Sequence, residues 1–182
     1  PRFLVTHFFN PPRYMRLVEV VPSRFTDPAV AASMAAFIGQ RLGKGVVHAK
    51  DTPNFVANRI GVFSMANAIH HTLALGMTVE EVDAVAGPAT ARARSACFRT
   101  ADLVGIDTLL HVAKNSYDTL PDDEKRDTFR MPDVMVQMVA KGLLGNKSKQ
   151  GFFKKTRGEK PETLFYDHLK GEYVPSRRPR FA

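Results

Sequence analysis

The sequence predicts a mainly α protein in which the end of an α/β layer precedes an all-α domain. Three short runs rich in β-branched and aromatic residues predict strands over 2–9, 16–21 and 46–49. Between the second and third strands a helix is predicted from Pro28, which follows the N-cap candidate Asp27. Strand, strand, helix and strand in close succession is typical of an α/β layer.

The pattern changes after residue 51, because every later periodic segment up to about residue 142 has helical spacing. Thr78 and Glu81 form a capping box at the start of one of these segments, and Gly105 interrupts a longer one. Helices are therefore predicted near 53–75, 78–86, 98–120 and 132–142.

A basic, glycine-containing loop over 143–151 follows the helices, and Lys170-Gly171 marks the turn of a small predicted hairpin. The chain is thereby divided into three segments. They are an α/β segment over 1–50, a helical domain over 51–155 and a hairpin and linker tail over 156–182.

Composition limits the classes of function. In 182 residues no apolar run approaches the roughly 18 that cross a bilayer, so we expect no membrane span. Cys97 is the only cysteine and no Cys/His cluster has metal-ligand spacing, so we expect no disulfide, no metal and a cytoplasmic location. The charge of +8 suits an anionic partner, but the basic residues are scattered, which argues against nucleic acid. They cluster only in the tail, at Arg177, Arg178 and Arg180.

His7 and Glu19 are the first candidates for chemistry. His7 lies near the carboxyl end of the first predicted strand, where α/β sheets bind ligands. Glu19 stands between Val18 and Val20 in the second strand, and an ionised carboxylate in apolar surroundings needs a partner. A carboxylate that accepts one imidazole N–H leaves the other nitrogen as a base. The alternatives are a half-buried His bonded to a backbone carbonyl and a Glu that reaches solvent from an edge strand.

Asn58 and Asn10 are the other candidates. The helical neighbours of Asn58 are Phe55 and Val62, so its amide lies on a face that is predicted to be buried and must find hydrogen-bond partners. It could hold a substrate carbonyl or cap a neighbouring loop. Asn10 closes the first strand, where it could contact substrate or serve only the turn that follows.

Four separated blocks of the sequence closely resemble the 3-hydroxyacyl-CoA dehydrogenases of fatty-acid β-oxidation. The blocks, in order, are THFFNPPRYMRLVEVV, KDTPNFVANRIG, CFRTADLVGIDTL and GLLGNKSKQGFFKK. The resemblance covers residues 2 to about 155. It implies that His7 is the catalytic base, that Glu19 is its paired carboxylate and that Asn58 contacts the substrate.

The resemblance also implies a fold and a reaction. Enzymes of this family have a Rossmann-type NAD domain followed by a helical, dimer-forming domain, and they oxidise (3S)-hydroxyacyl-CoA to 3-ketoacyl-CoA. Residues 1–50 are then expected to be only the C-terminal remnant of the NAD domain. NAD would be bound mainly by a missing N-terminal domain, with no cofactor-binding residue in this fragment, which would be inactive alone. We expect an acyl-CoA substrate and a homodimer.

Two alternatives remain open at this point. The tail over 156–182 resembles the linker of long forms in which an enoyl-CoA hydratase domain follows the dehydrogenase. The rival hypothesis for the whole chain is a non-catalytic helical dimerisation module of a related two-domain dehydrogenase. The sequence also departs from the family at Asn54 and Ala91, where Gly is usual, and at Ala93, where Pro is usual. Asn tolerates a left-handed backbone, so the first departure is mild.

Overall fold

The computed structural model describes residues 1–177, 179 and 181. Two members of the predicted basic tail, Arg178 and Arg180, lie outside the described residues. The chain divides into two compact units, Pro1–Ile60 and Gly61–Ala182, each with its own buried core.

The first unit is built around a three-stranded sheet with β2 at its centre. β2 pairs antiparallel with β1 and parallel with β3, and α1 makes the crossover between the two parallel strands. Asp27 caps α1 as the sequence predicts, because its Oδ1 accepts the backbone N–H of Ala29 at 2.9 Å. The elements are β1 (Leu4–Phe8), β2 (Leu17–Pro22), α1 (Pro28–Arg41) and β3 (Gly45–His48).

The core of the first unit explains why β2 reads as a nearly continuous apolar run. Val18 and Val20 on one face of β2 pack with Ile38 of α1, and all three are essentially inaccessible to solvent. Val21 and Glu19, on the opposite face, are also buried. A carboxylate at the middle of this strand is therefore enclosed, and its hydrogen bonds must come from the protein.

The second unit contains helices and a second sheet. β4, β5 and β6 pair antiparallel in sequence order. The predicted capping box is present, since Thr78 and Glu81 bond each other's backbone N–H groups at the start of α3. The remaining elements are α2 (Ala57–Ala74), α3 (Val79–Val85), α4 (Phe98–Val104), α5 (Ile106–Thr119), α6 (Asp133–Ala140), β4 (Phe153–Lys155), β5 (Thr163–Asp167) and β6 (Glu172–Pro175).

The prediction of a mainly α protein with an all-α second domain is wrong. The helices of Gly61–Ala182 share one core with the second sheet, in which Phe152 beside β4 and Phe165 of β5 are both buried. β4 is only three residues long, Phe-Lys-Lys, which is too short to show an alternating pattern. It forms because β5, ten residues further on, supplies the partner, with Phe153 opposite Phe165.

The start of α2 also differs from the sequence prediction. The helix was expected from about residue 53 but begins at Ala57, because Asn54 and Phe55 adopt left-handed backbone angles, with φ of 61° and 48°. These two residues turn the chain immediately before the helix. Ala91, the other position where the family usually has Gly, is left-handed as well, with φ of 59°.

Two buried or half-buried aspartates connect segments of the second unit. Asp83 caps α4 by accepting the backbone N–H groups of Cys97 and Phe98, at 3.0 and 2.7 Å. Asp102 of α4 accepts the N–H groups of Phe152 and Phe153, at 2.8 and 2.9 Å, and so ties β4 to the helices. Burial raises the pKa of Asp102 to about 6 against the effect of these hydrogen bonds. In the described part of the chain, no helix combines the length and apolar character needed to cross a membrane.

Candidate active site

His7 and Glu19 face each other directly across the first sheet. They are paired residues in the antiparallel register of β1 and β2, and His7 Nδ1 lies 2.7 Å from Glu19 Oε2. The structure therefore brings together the two side chains that the sequence analysis selected. The pairing follows from strand register, because opposed residues on one face of an antiparallel pair are in side-chain contact.

Glu19 also holds the first turn of α2. Its second oxygen, Oε1, accepts the backbone N–H groups of Val56 and Ala57 at 2.9 and 2.8 Å. These are donors at a helix N-terminus, which have no partner within the helix and favour a negative charge. Burial alone would raise the pKa of Glu19, but the hydrogen bonds from His7, Ala57 and Val56 outweigh burial and lower it. Glu19 is therefore a buried, ionised carboxylate.

The charge of Glu19 fixes the tautomer of His7. An ionised carboxylate only accepts hydrogen bonds, so His7 Nδ1 carries the proton that it donates to Glu19. The other nitrogen, Nε2, then has its lone pair available. The imidazole is 29% exposed, and the rings of Phe9 and Phe55 lie tilted beside it with centroids at 4.5 and 5.8 Å. His7 is thus an oriented base in a partly apolar surrounding.

Asn58 lies next to this network in the chain. It is the second residue of α2, directly after Ala57, and it is half-buried. Within the described part of the chain its side-chain amide forms no hydrogen bond, so the amide is free to bind a ligand. The structure does not place it as a cap of a neighbouring loop.

Asn10 is exposed, two residues beyond the end of β1, and a cis peptide bond joins it to Pro11. Among the described residues no hydrogen bond connects its side chain with His7 or Glu19.

The sequence analysis missed two parts of this site. The backbone donors of Val56 and Ala57 carry no residue-type signal, and only the Pro53-Asn54 pair before the helix could have suggested a helix start there. Phe55 was assigned to the helix, whereas its left-handed backbone precedes the helix and its ring lies beside His7. Among the described residues, no group of three or more His, Cys, Asp or Glu side chains is placed to hold a metal ion.

Two protein-family models match the chain. One, described as the NAD binding domain of 3-hydroxyacyl-CoA dehydrogenase, matches residues 1–52. The other, described as the C-terminal domain of the same enzyme, matches residues 55–155. The expectation that the NAD-binding domain is missing is therefore corrected, because a region of this chain matches it.

Curated relatives and solved structures agree with these matches. A probable 3-hydroxyacyl-CoA dehydrogenase of Bacillus subtilis is 52% identical over 84% of this chain and 19% of its own length. One of Deinococcus radiodurans is 50% identical over 90% of this chain and 46% of its own. The crystal structure of (S)-3-hydroxybutyryl-CoA dehydrogenase PaaH1 from Ralstonia eutropha has a TM-score of 0.71 at 32% identity, covering 82% of this chain and 50% of that one.

The chain thus spans less than half the length of these two curated relatives. The match to the C-terminal domain nevertheless covers more than half of the chain, and the match to the NAD binding domain accounts for nearly all that precedes it. The order of the two matches along the chain is also the order of the two structural units. On these grounds the chain belongs to the 3-hydroxyacyl-CoA dehydrogenase family.

Proposed function

We propose that the intact protein containing this chain is an NAD-dependent dehydrogenase that oxidises (3S)-hydroxyacyl-CoA to 3-ketoacyl-CoA, with His7 as its general base. The observation that carries the proposal is the chain of hydrogen bonds from His7 Nδ1 through the Glu19 carboxylate to the N-terminus of α2. This arrangement orients an imidazole and stabilises its protonated form, which is what proton abstraction from an alcohol needs.

In the proposed reaction His7 Nε2 removes the proton from the 3-hydroxyl group as the carbonyl forms. The imidazolium that results is held 2.7 Å from the Glu19 carboxylate, which is buried and fully hydrogen-bonded. Because Glu19 is anchored by two backbone N–H groups, it need not move when the charge develops on His7. The Asn58 amide, which follows those donors in the chain, would donate a hydrogen bond to the 3-oxygen or the thioester carbonyl. We assign Asn10 a secondary contact with substrate at the mouth of the site.

NAD is the proposed oxidant, because residues 1–52 match the NAD binding domain of the family. A pyrophosphate binds to free N–H groups at a helix N-terminus. In the described first unit, α1 begins with Pro28, which has no N–H, and Asp27 already accepts the N–H of Ala29. Glu19 likewise occupies the start of α2. These residues do not form a pyrophosphate site, so we assign no step to NAD itself.

The assembly and location of the protein are part of the same proposal. Several large apolar side chains in the helical region are more than 45% exposed, and a second copy of the chain would cover them; they are Leu75, Leu103, Val104 and Val136. A homodimer is therefore proposed, to be tested by sedimentation velocity. The single buried cysteine, Cys97, supports the proposed cytoplasmic location. The rival function, a helical module without chemistry, leaves the oriented His7 and Glu19 pair without a purpose.

The decisive experiment is steady-state oxidation of a short 3-hydroxyacyl-CoA by His7→Ala in the intact protein. We expect kcat to fall by about 10²- to 10⁴-fold with a much smaller change in KM, because a base acts in the transition state. His48→Ala is the matched control, since His48 is an exposed histidine of β3 in the same sheet and should leave kcat unchanged. If His7→Ala keeps more than about a tenth of the turnover, His7 is not the base.

A further inference from the structure

A second site of unassigned chemistry lies in the second unit, far along the chain from His7. It is a surface cavity of about 810 Å³ bordered by the 3-10 turn over 146–148 and by β4 and its flanking residues. Five cations line it, namely Arg99, Lys149, Lys154, Lys155 and Arg157, and none of its described lining residues is acidic. We call it the basic cavity.

The charge of the basic cavity is not neutralised by the protein. Among the described residues none of the five cations forms an ion pair with a carboxylate. The nearby Asp83 carboxylate accepts the backbone N–H of Arg99 at 3.1 Å rather than its guanidinium. Five like charges around one concavity repel each other unless an anion lies between them. The absence of lining carboxylates therefore points to an anionic ligand.

Two of the cations are held in place by aromatic rings. The Arg99 guanidinium carbon lies 3.9 Å from the centre of the Phe153 ring, and Lys154 Nζ lies 4.0 Å from the centre of the Tyr173 ring. Such contacts restrict long side chains without cancelling their charge. A ligand would then lose less free energy in ordering these groups than in ordering mobile surface lysines.

The loop that carries Lys149 is also fixed. Ser148 Oγ accepts the N–H of Leu144 at 2.9 Å and lies 2.8 Å from the carbonyl of Gln150, to which it donates. Gly145 and Gln150 exchange backbone hydrogen bonds across the loop. The side-chain amides of Asn146 and Gln150, which also line the cavity, form no hydrogen bond with any described residue. They provide neutral donors beside the cations.

We propose that the basic cavity binds a small anion that carries two or more phosphate groups, such as a nucleoside diphosphate, a bisphosphate or pyrophosphate. The volume lies in the range of small-ligand sites and exceeds what a single phosphate fills. Recognition is through the phosphates rather than a stacked base, because the Arg99 guanidinium covers the ring of Phe153, the one aromatic residue among the described lining residues. For the same reason the geometry favours a small molecule over single-stranded nucleic acid.

The test is isothermal titration of the 182-residue chain, since binding here does not depend on the proposed dehydrogenase activity. The probes are inorganic phosphate, pyrophosphate, ADP, adenosine 3′,5′-bisphosphate and CoA, with an oligonucleotide of about 12 nucleotides as the competing class. The variant Lys155→Gln/Arg157→Gln removes two cations of the basic cavity. Its matched control is Lys125→Gln/Lys141→Gln, which removes two exposed cations elsewhere in the same unit.

We expect pyrophosphate and the bisphosphates to bind at least about tenfold more tightly than inorganic phosphate. The cavity variant should weaken this binding by about tenfold or more, and the control by less than about twofold. Lys149→Asn is a second variant that tolerates the left-handed φ of 60° at this position and should also weaken binding. CoA and the 3′,5′-bisphosphate binding more tightly than ADP and pyrophosphate would identify CoA as the source of the phosphates; the reverse order would identify a free nucleotide.

Three results would overturn the proposal. The first is equal affinity for phosphate and pyrophosphate. The second is an equal loss in the cavity variant and its control, which would show only non-specific attraction to a chain of charge +8. The third is tighter binding of the oligonucleotide than of every small anion, lost in the same variant, because the site would then be a nucleic-acid surface.

Discussion

Gly151 lies so close to Asp102 that a β-carbon at residue 151 would overlap the Asp102 carboxylate. The chain reaches this position just before Phe152 and Phe153, whose N–H groups bond the same carboxylate. Gly145 approaches the backbone of Asp102 equally closely. The glycines of the segment GLLGNKSKQGFF are therefore required by the packing of one buried aspartate, and not by loop flexibility.

We predict that Gly151→Ala lowers the free energy of unfolding by more than about 2 kcal/mol, because the Asp102 hydrogen bonds must break or distort. Gly61→Ala is the matched control. Gly61 lies inside α2 with no heavy atom close to the position of a β-carbon, so the same change should raise stability by about 0.5–1 kcal/mol. Urea unfolding of both variants measures the difference. Equal effects of the two substitutions would show that residue 151 has room for a side chain.

Glu19 is predicted to stabilise the first unit as well as serve His7. Glu19→Gln keeps the size of the side chain but loses the charge that accepts three hydrogen bonds, at a cost of about 1.5–3 kcal/mol near pH 7. The pKa of Glu19 is lowered on folding, so the ionised form contributes stability above its ordinary pKa of 4.5 and the contribution is lost as the pH falls below it. The difference in stability between wild type and variant should therefore narrow in acid.

Denaturant unfolding of wild type and Glu19→Gln at a series of pH values below 7 gives this comparison directly. A difference that is constant with pH would mean that the carboxylate is not ionised in the folded protein.

Cys97 is predicted to be unreactive in the folded chain. It is fully buried, and burial, together with the charge of Asp83, raises its pKa to about 12 even though Arg92 acts in the opposite direction. The thiolate is the reactive form, so alkylation at pH 8 should be slower than that of an ordinary cysteine by about 10³-fold or more. Mass spectrometry after iodoacetamide treatment, with and without urea, measures this, since the chain has one cysteine. Rapid labelling without urea would contradict the burial of Cys97.

The sequence predicts those features that depend on neighbours along the chain. The first three strands, α1 and the capping box at Thr78 follow from local patterns, and the His7–Glu19 pair follows from the register of adjacent strands. The second sheet could not be predicted in full, because β4 depends on a partner strand and on Asp102, which lies 50 residues away from Phe152. The backbone donors that hold Glu19 were equally hidden, since any residue type supplies an N–H.

Asn58 offers the last prediction, which separates binding from catalysis within the candidate site. Its amide forms no hydrogen bond within the described part of the chain, and it follows the helix turn that Glu19 holds. If it donates to a substrate oxygen in both the ground state and the transition state, Asn58→Ala should raise KM and lower kcat/KM, with a smaller loss of kcat than His7→Ala shows. Losing one such hydrogen bond corresponds to about a 3- to 30-fold change in kcat/KM.

Asn58→Asp makes the measurement specific, because it keeps the size of the side chain but replaces the N–H₂ donor with an acceptor. It should be worse than Asn58→Ala toward the substrate, since a carboxylate repels the carbonyl oxygen that the amide would bind. Stability should change little in either variant, because no hydrogen bond within the described protein is lost. Steady-state kinetics in the intact protein, with unfolding curves as the control, test both statements. If Asn58→Ala unfolds the protein or leaves kcat/KM unchanged, the amide has a structural role or none, and the substrate contact must be sought elsewhere in the site.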